Sequence, residues 1–202
     1  MSKTPNRGFS LIEAAIVLGI ISLVIGGIWT AASSVRQAQR VNEITVGIMQ
    51  IATTAHKIFR YSDYPQSQTT ITNVTDIAFA SGIIPANFHA APITYMSPLA
   101  VSPSGIILGV YLACDYHACP ALLIRTYGLY GAYEADVALT PSDCTQMLPR
   151  VVSGAQHYGL KVVQIGQLGN TDHEVLTPPI STVGVVCPQQ LWWANFYFDP
   201  AS

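Results

Sequence analysis

From Ala14 to Val35 the chain runs for 22 residues without a charged side chain, and the run lies almost at the N-terminus. As one helix, rising about 1.5 Å per residue, it reaches about 33 Å, enough to cross the hydrocarbon of a bilayer. That is longer than the apolar core of an ordinary export signal. Half of all residues are hydrophobic and 10% are charged, against roughly 25% charged in an average soluble domain. Global disorder is excluded, because it needs low hydrophobicity and high charge. The net charge of -2 excludes a strongly basic chain, so nucleic acid is not expected as a main partner.

Pro5 and Gly8 oppose a helix start before position 8, and no proline follows Phe9 until Pro65. The pattern predicts one helix from about Phe9 to about Arg60, roughly 78 Å long. Its two halves differ. Up to Val35 it is apolar all round, as a membrane span must be. Beyond Arg36 it becomes striped: Val41, Ile44, Ile48, Ile51, Ala55 and Ile58 recur at helical spacing between Gln37, Arg40, Glu43, Gln50, Thr54 and Lys57. Such a stripe packs on something, and a sheet from the same chain is the expected partner.

Glu13 stands at the mouth of the apolar run. A carboxylate in hydrocarbon costs several kcal/mol unless paired or protonated. An ordinary role is a first-turn acid complementing the helix dipole, worth under about 1 kcal/mol. The other role is a charge kept for a partner that arrives later, such as a free amine on Phe9 of an adjacent copy. Gly19, Gly26 and Gly27 each weaken the helix by about 1 kcal/mol relative to alanine. They suit close packing of bundled helices, and Gly26-Gly27 is a candidate for local melting.

The sequence Gly8-Phe9-Ser10-Leu11-Ile12-Glu13, with a basic leader before it and the long apolar run after it, resembles the N-terminus of type IV pilins and type II secretion pseudopilins. The resemblance is close over residues 3–35 and holds only in outline beyond. It implies cleavage by a membrane prepilin peptidase between Gly8 and Phe9, with methylation of the new N-terminus. It further implies that Glu13 neutralises the Phe9 amine of a neighbouring subunit as subunits leave the bilayer. Four segments follow: residues 1–8 as leader, 9–35 as membrane anchor and then filament core, 36–61 as the amphipathic half-helix, and 62–202 as the head. Lys3 and Arg7 on one side balance Arg36 and Arg40 on the other, so the positive-inside rule does not orient the span. The resemblance places the N-terminus in the cytoplasm.

The head mixes Leu, Ile and Val with Pro, Gly, Thr and Ser, which points to an α+β fold. Residues 62–72 read as a polar loop. Asn73 or Thr75 is a candidate cap for a short helix through Ala80, stopped by Gly82. A Pro-rich loop from Ile84 to Pro103 leads to two antiparallel strands, 105–113 and 121–127. Thr140-Pro141-Ser142-Asp143 is a helix start, and Pro149 is expected to kink or end that helix. Strands near 160–165 and 190–198 complete the sheet. The last is apolar on both faces and is expected to lie centrally or beneath the long helix.

All four cysteines lie in the head, and an exported head favours two disulfides. Three connectivities are open. Cys114 and Cys119 flank a short loop and approach easily, a pairing that leaves Cys144 with Cys187. A Cys144–Cys187 bridge would resemble the disulfide bounding the C-terminal variable region of type IV pilins. The Pro-Ser-Asp-Cys helix start resembles the type IVb and plasmid thin-pilus branch, from which the eight-residue leader and Phe9 depart. His117 between Cys114 and Cys119 lacks a fourth ligand nearby for a metal. Asp172-His173-Glu174 lacks the alternating oxygens of a calcium loop and reads as a solvated turn. Asn73-Val74-Thr75 is a formal glycosylation sequon. No hydrolase, zinc-protease or phosphate-loop motif occurs, so neither an enzyme nor a cofactor or metal site is expected.

Within 62–202, Arg125, Arg150 and Lys161 face nine acids, a formal charge of -6. Arg36, Arg40, Lys57 and Arg60 against Glu43 make residues 36–60 basic at +3. The basic helix shoulder could therefore pair with acidic heads of neighbours. The expected function is a structural subunit of a type IV pilus-like filament. Its partners would be copies of itself, the prepilin peptidase, an inner-membrane assembly platform and, before assembly, membrane lipid. Glu13 favours a subunit incorporated along the shaft. Within the family the alternatives are a minor pilin or a type II secretion pseudopilin. Outside it, the alternative is an exported or anchored enzyme or binding protein cut near Thr30-Ala31-Ala32-Ser33.

Overall fold

In the computed structural model of the chain, the residues described are 11–55, 57–67, 69–91, 99–114, 118–127, 139–167, 174–177, 187 and 191–200. The chain divides into two compact units, residues 1–38 and 39–202, and helix α1 (Leu11–Ala55) runs through the boundary.

In the first unit, every described large hydrophobic from Leu11 to Val35 is exposed, Leu11 at 89% and Trp29 at 73%. The helix there satisfies its own small hydroxyls. Ser22 Oγ donates to the Leu18 carbonyl, Thr30 Oγ1 to Gly27, Ser33 Oγ to Thr30 and Ser34 Oγ to Ala31. A hydroxyl bonded back to its own helix leaves no polar demand on the surroundings.

In the second unit the stripe is buried: Val41, Ile44, Ile48, Ile51, Ala52 and Ala55 are fully covered. The helix ends at Ala55, short of the expected Arg60, and Ile58 is 38% exposed rather than in the stripe. The amides of Ile58 and Phe59 both reach back to the Ala55 carbonyl. Arg60 is already extended, and the Asp63 carboxylate caps its amide at 2.8 Å in a short 3-10 turn over Tyr61–Asp63. This turn carries Phe59 and Tyr64 into the core.

The head holds an antiparallel sheet of β1 (Thr70–Asn73), β2 (His89–Ala91), β3 (Leu99–Val101), β4 (Ile107–Cys114), β5 (Ala121–Tyr127), β6 (Leu160–Gln167), β7 (Glu174–Leu176) and β8 (Leu191–Phe198). Spatial order is β2-β3-β4-β5-β8-β6-β7, with β1 also paired to β4. β4 shares one edge between two partners: β3 meets Ile107 and Leu108, and β1 meets Tyr111 to Cys114. β8 lies between β5 and β6, as its two-sided apolar pattern predicts. Four strands escape sequence analysis. β1 lies in the expected polar loop and β2 and β3 in the expected Pro-rich loop. β7 opens at Glu174, where a solvated turn is expected; Asp172 and His173 lie outside the described residues.

Two further helices lie in the head. α2 (Thr75–Ala80) starts where Asn73 Oδ1 accepts the Thr75 amide, and it stops before Gly82, whose φ of 69° suits glycine. The Thr75 hydroxyl is buried on the backbone of Val110, so the sequon's hydroxyl is committed to the fold. α3 (Pro141–Ala155) runs past Pro149, so of the two expected effects, a kink or an end, Pro149 does not end the helix. Pro149 costs an interior helix about 3 kcal/mol. On both sides of it, however, Cys144, Met147, Leu148, Val151, Val152 and Ala155 continue one buried face. At about 1.5–3 kcal/mol for each large side chain, that burial outweighs the lost hydrogen bond.

The main core joins the stripe of α1 and the buried face of α3 to alternate sheet positions such as Leu108, Val110, Leu122, Ile124, Val163, Phe196 and Phe198. Contact is close: a Cβ on Gly47 would meet Leu108 and Phe88 at 3.2 Å, and one on Gly154 would meet Met49 at 3.1 Å. The fold is therefore α+β, with a long helix packed on an antiparallel sheet.

Candidate functional site: the N-terminal helix and its seat in the head

Glu13 lies in the first turn of α1 and is exposed. Gly8 and Phe9, the expected cleavage pair, lie outside the described residues. From Leu11 onward the helix is long and apolar enough to cross a membrane, and none of its most apolar window is buried. A surface of this kind must be covered by lipid or by other protein. Gly19, Gly26 and Gly27 have nothing within 4 Å of where a Cβ would stand. Among the described residues, their smallness therefore serves no packing.

The amphipathic half of α1 is held in the head by two polar ties as well as by its stripe. Arg40 contacts the Asp143 carboxylate at 3.2 Å, with Asp143 almost fully buried. Asp143 also closes a capping box at the start of α3: Thr140 Oγ1 accepts the Asp143 amide, and Asp143 Oδ2 accepts the Thr140 amide, both at 3.1 Å. One carboxylate thus fixes the start of one helix and a cation of another. The second tie is Ser104 Oγ donating to Glu43 Oε2 at 2.5 Å. Arg40 and Glu43 are therefore engaged within the chain. Of the other basic residues in 36–60, Arg36, Lys57 and Arg60 are exposed.

The structure pairs Cys114 with Cys119 and Cys144 with Cys187. The first closes the turn after β4, where the Cys119–Pro120 peptide is cis. The second joins the buried face of α3 to a residue 43 positions later. Among the described residues, no three His, Cys, Asp or Glu side chains gather as metal ligands; His117 lies outside them.

A cluster not expected from the sequence lies on the sheet face turned away from the main core. Arg125, Asn195 and Gln164 stand in one row across β5, β8 and β6. Arg125 Nε donates to Asn195 Oδ1 at 2.8 Å, and the Tyr197 hydroxyl donates to Gln164 Oε1 at 2.7 Å. Tyr111 and Tyr127 share a hydrogen bond of 2.6 Å between hydroxyls. Burial, then the neighbouring Tyr127, pushes the Tyr111 hydroxyl well above the usual phenol range. Elsewhere, Tyr64 buries its hydroxyl with no partner among the described residues, and burial followed by the Asp63 charge pushes it up to about 12. The signal for the row was the placement of polar residues in otherwise apolar strands, which identifies the residues but not their convergence.

No curated protein and no solved structure matches the chain. Residues 3–29 match the family model described as the prokaryotic N-terminal methylation motif. The chain therefore carries, at the head of its exposed apolar helix, the prepilin signature of type IV pilin and pseudopilin precursors.

Proposed function

We propose that the protein is a structural subunit of a type IV pilus-like filament, cut after Gly8 and polymerised through α1. The observation that carries this reading is a coincidence. The N-terminal methylation motif at residues 3–29 overlaps a helix whose large hydrophobics are all exposed from Leu11 through Val35. In the membrane that surface meets lipid. In a filament it meets copies of itself, and the glycines uncovered along it allow helices to approach closely. Glu13 would then pair with the Phe9 amine of a neighbour, removing two charges from a low-dielectric core at once. The membrane stage has its N-terminus in the cytoplasm, and the head lies outside, where its disulfides persist.

The role follows as a scaffold subunit rather than an enzyme. The prepilin peptidase and the inner-membrane assembly platform are the partners this reading requires. The segments 1–8, 9–35, 36–61 and 62–202 serve as leader, anchor and filament core, head-docked half-helix, and head. Assembly is tested by Glu13→Ala and Glu13→Gln in cells that make filaments. The reading expects normal membrane levels of precursor with filament yield lost. Unchanged yield in both variants would overturn it.

A further inference from the structure

We propose that the outer face of the head sheet carries a carboxylate-binding site centred on Arg125, and that its ligand is an acidic sugar unit of the uronic acid type. The proposal goes beyond the filament reading and stands on the head alone.

The head has three cations. Lys161 is paired with Asp199 at 2.7 Å, and Arg150 is exposed on α3. Arg125 differs from both. It is half-buried in the middle of the sheet, and among the described residues no carboxylate pairs with it. A half-buried cation in an acidic head, with no described carboxylate paired to it, marks a place where an anion is favoured.

The guanidinium is held rather than loose. Its Nε is spent on Asn195, and its carbon lies 5.5 Å from the ring centres of both Tyr111 and Trp193. Asn195 is fixed in turn, its Nδ2 donating to Gln164 Oε1 at 3.1 Å, and Asn195 and Gln164 are almost fully buried. Two glycines make room for the rings. Gly109 stands opposite Arg125, and a Cβ there would come within 2.6 Å of the Tyr111 ring. Gly166 stands opposite Trp193, and a Cβ there would come within 2.3 Å of the indole. Backbone, rings and amides together orient a fork whose terminal N–H groups donate to no described residue.

An oriented guanidinium fork matches the two oxygens of a carboxylate. A single cation among many acids favours a monoanion over a phosphate dianion. Arg125 and Trp193 are the members of the cluster that keep solvent contact, so the ligand meets a cation with apolar indole beside it. A sugar ring bearing a carboxylate offers both surfaces. An acidic peptide is less suited, because β5 and β8 are interior strands with both edges paired and offer no main-chain docking.

The test uses the full chain in detergent micelles, labelled with 15N-arginine, and follows the Arg125 Nε–H signal, assigned by its loss in Arg125→Lys. Methyl β-D-glucuronide should shift that signal saturably. Methyl β-D-glucoside should leave it in place, and Arg125→Lys should weaken glucuronide binding about tenfold or more. Trp193→Phe provides a second variant that keeps the cation and should weaken binding less. Thermal melting and intact disulfides in each variant confirm folding. No saturable shift, or binding unchanged in Arg125→Lys, would overturn the site. An equal response to N-acetylglutamate methylamide would overturn the sugar assignment.

Discussion

The two halves of α1 are built from similar residues and live by different rules. From Leu11 to Val35 the large hydrophobics are exposed, while from Val41 to Ala55 one stripe is fully buried. The difference is periodicity. An unbroken apolar surface cannot be covered from one side by a sheet, so its cover must come from outside the chain. A stripe at spacings of three and four asks for one neighbour only, and the head supplies it. A helix can thus serve two environments when its pattern changes along its length.

Substitutions that treat the halves alike should separate them. The largest expected effect is Ile48→Ala, which opens a hole at a fully buried site of the main core and should cost the head about 4–5 kcal/mol in denaturant unfolding. Ile20→Ala, in the uncovered half, should leave that transition unmoved. An equal loss in both would erase the distinction. The disulfides come next. Loop-closure entropy assigns about 4 kcal/mol to Cys144–Cys187, separated by 43 residues, and about 2 kcal/mol to Cys114–Cys119, separated by 5. Paired Cys→Ser variants measured by calorimetry should keep that order. Asp143→Ala removes the buried carboxylate from Arg40 and uncaps α3 together, with an expected loss of about 3 kcal/mol. Asp143→Asn should lose less, because the amide oxygen still caps.

A pH effect sharpens the same contrast, because it belongs to the head alone. Tyr64 is held protonated up to about 12 when folded, against 10.0 when free. Above pH 10 the unfolded chain releases that proton while the folded chain keeps it. Stability from this group is therefore whole below about pH 10, falls between 10 and 12, and levels beyond, for a loss of roughly 2–3 kcal/mol. Tyr64→Phe should flatten that part of the curve. At neutral pH it should be neutral or stabilising by up to about 1 kcal/mol, since the buried hydroxyl has no described partner.

Much of the architecture was legible from residues alone. The long helix, α3, β4, β5, β6 and β8 carry local signals: an unbroken apolar run, a capping box, alternating or two-sided apolar strands. Thr70–Asn73, His89–Ala91, Leu99–Val101 and Glu174–Leu176 carry none, because strands of three or four residues are too short to show a period. They are strands because β3, β4 and β6 offer them edges. Pro149 does not end α3 for a related reason, since a local penalty is outweighed by a buried face that only tertiary contact reveals. Arg40 reads as a surface charge until Asp143, far along the chain, is brought beside it. Glu13 stands out because its oddity is local: an acid set into an apolar run.

The account rests on the apolar half of α1 being kept on the mature protein as the surface by which copies join. Intact mass and N-terminal sequencing of protein sheared from cells test this directly. A chain beginning at a methylated Phe9, with the apolar segment whole, is the predicted result. A chain beginning near Ser33, with that segment removed, would contradict it.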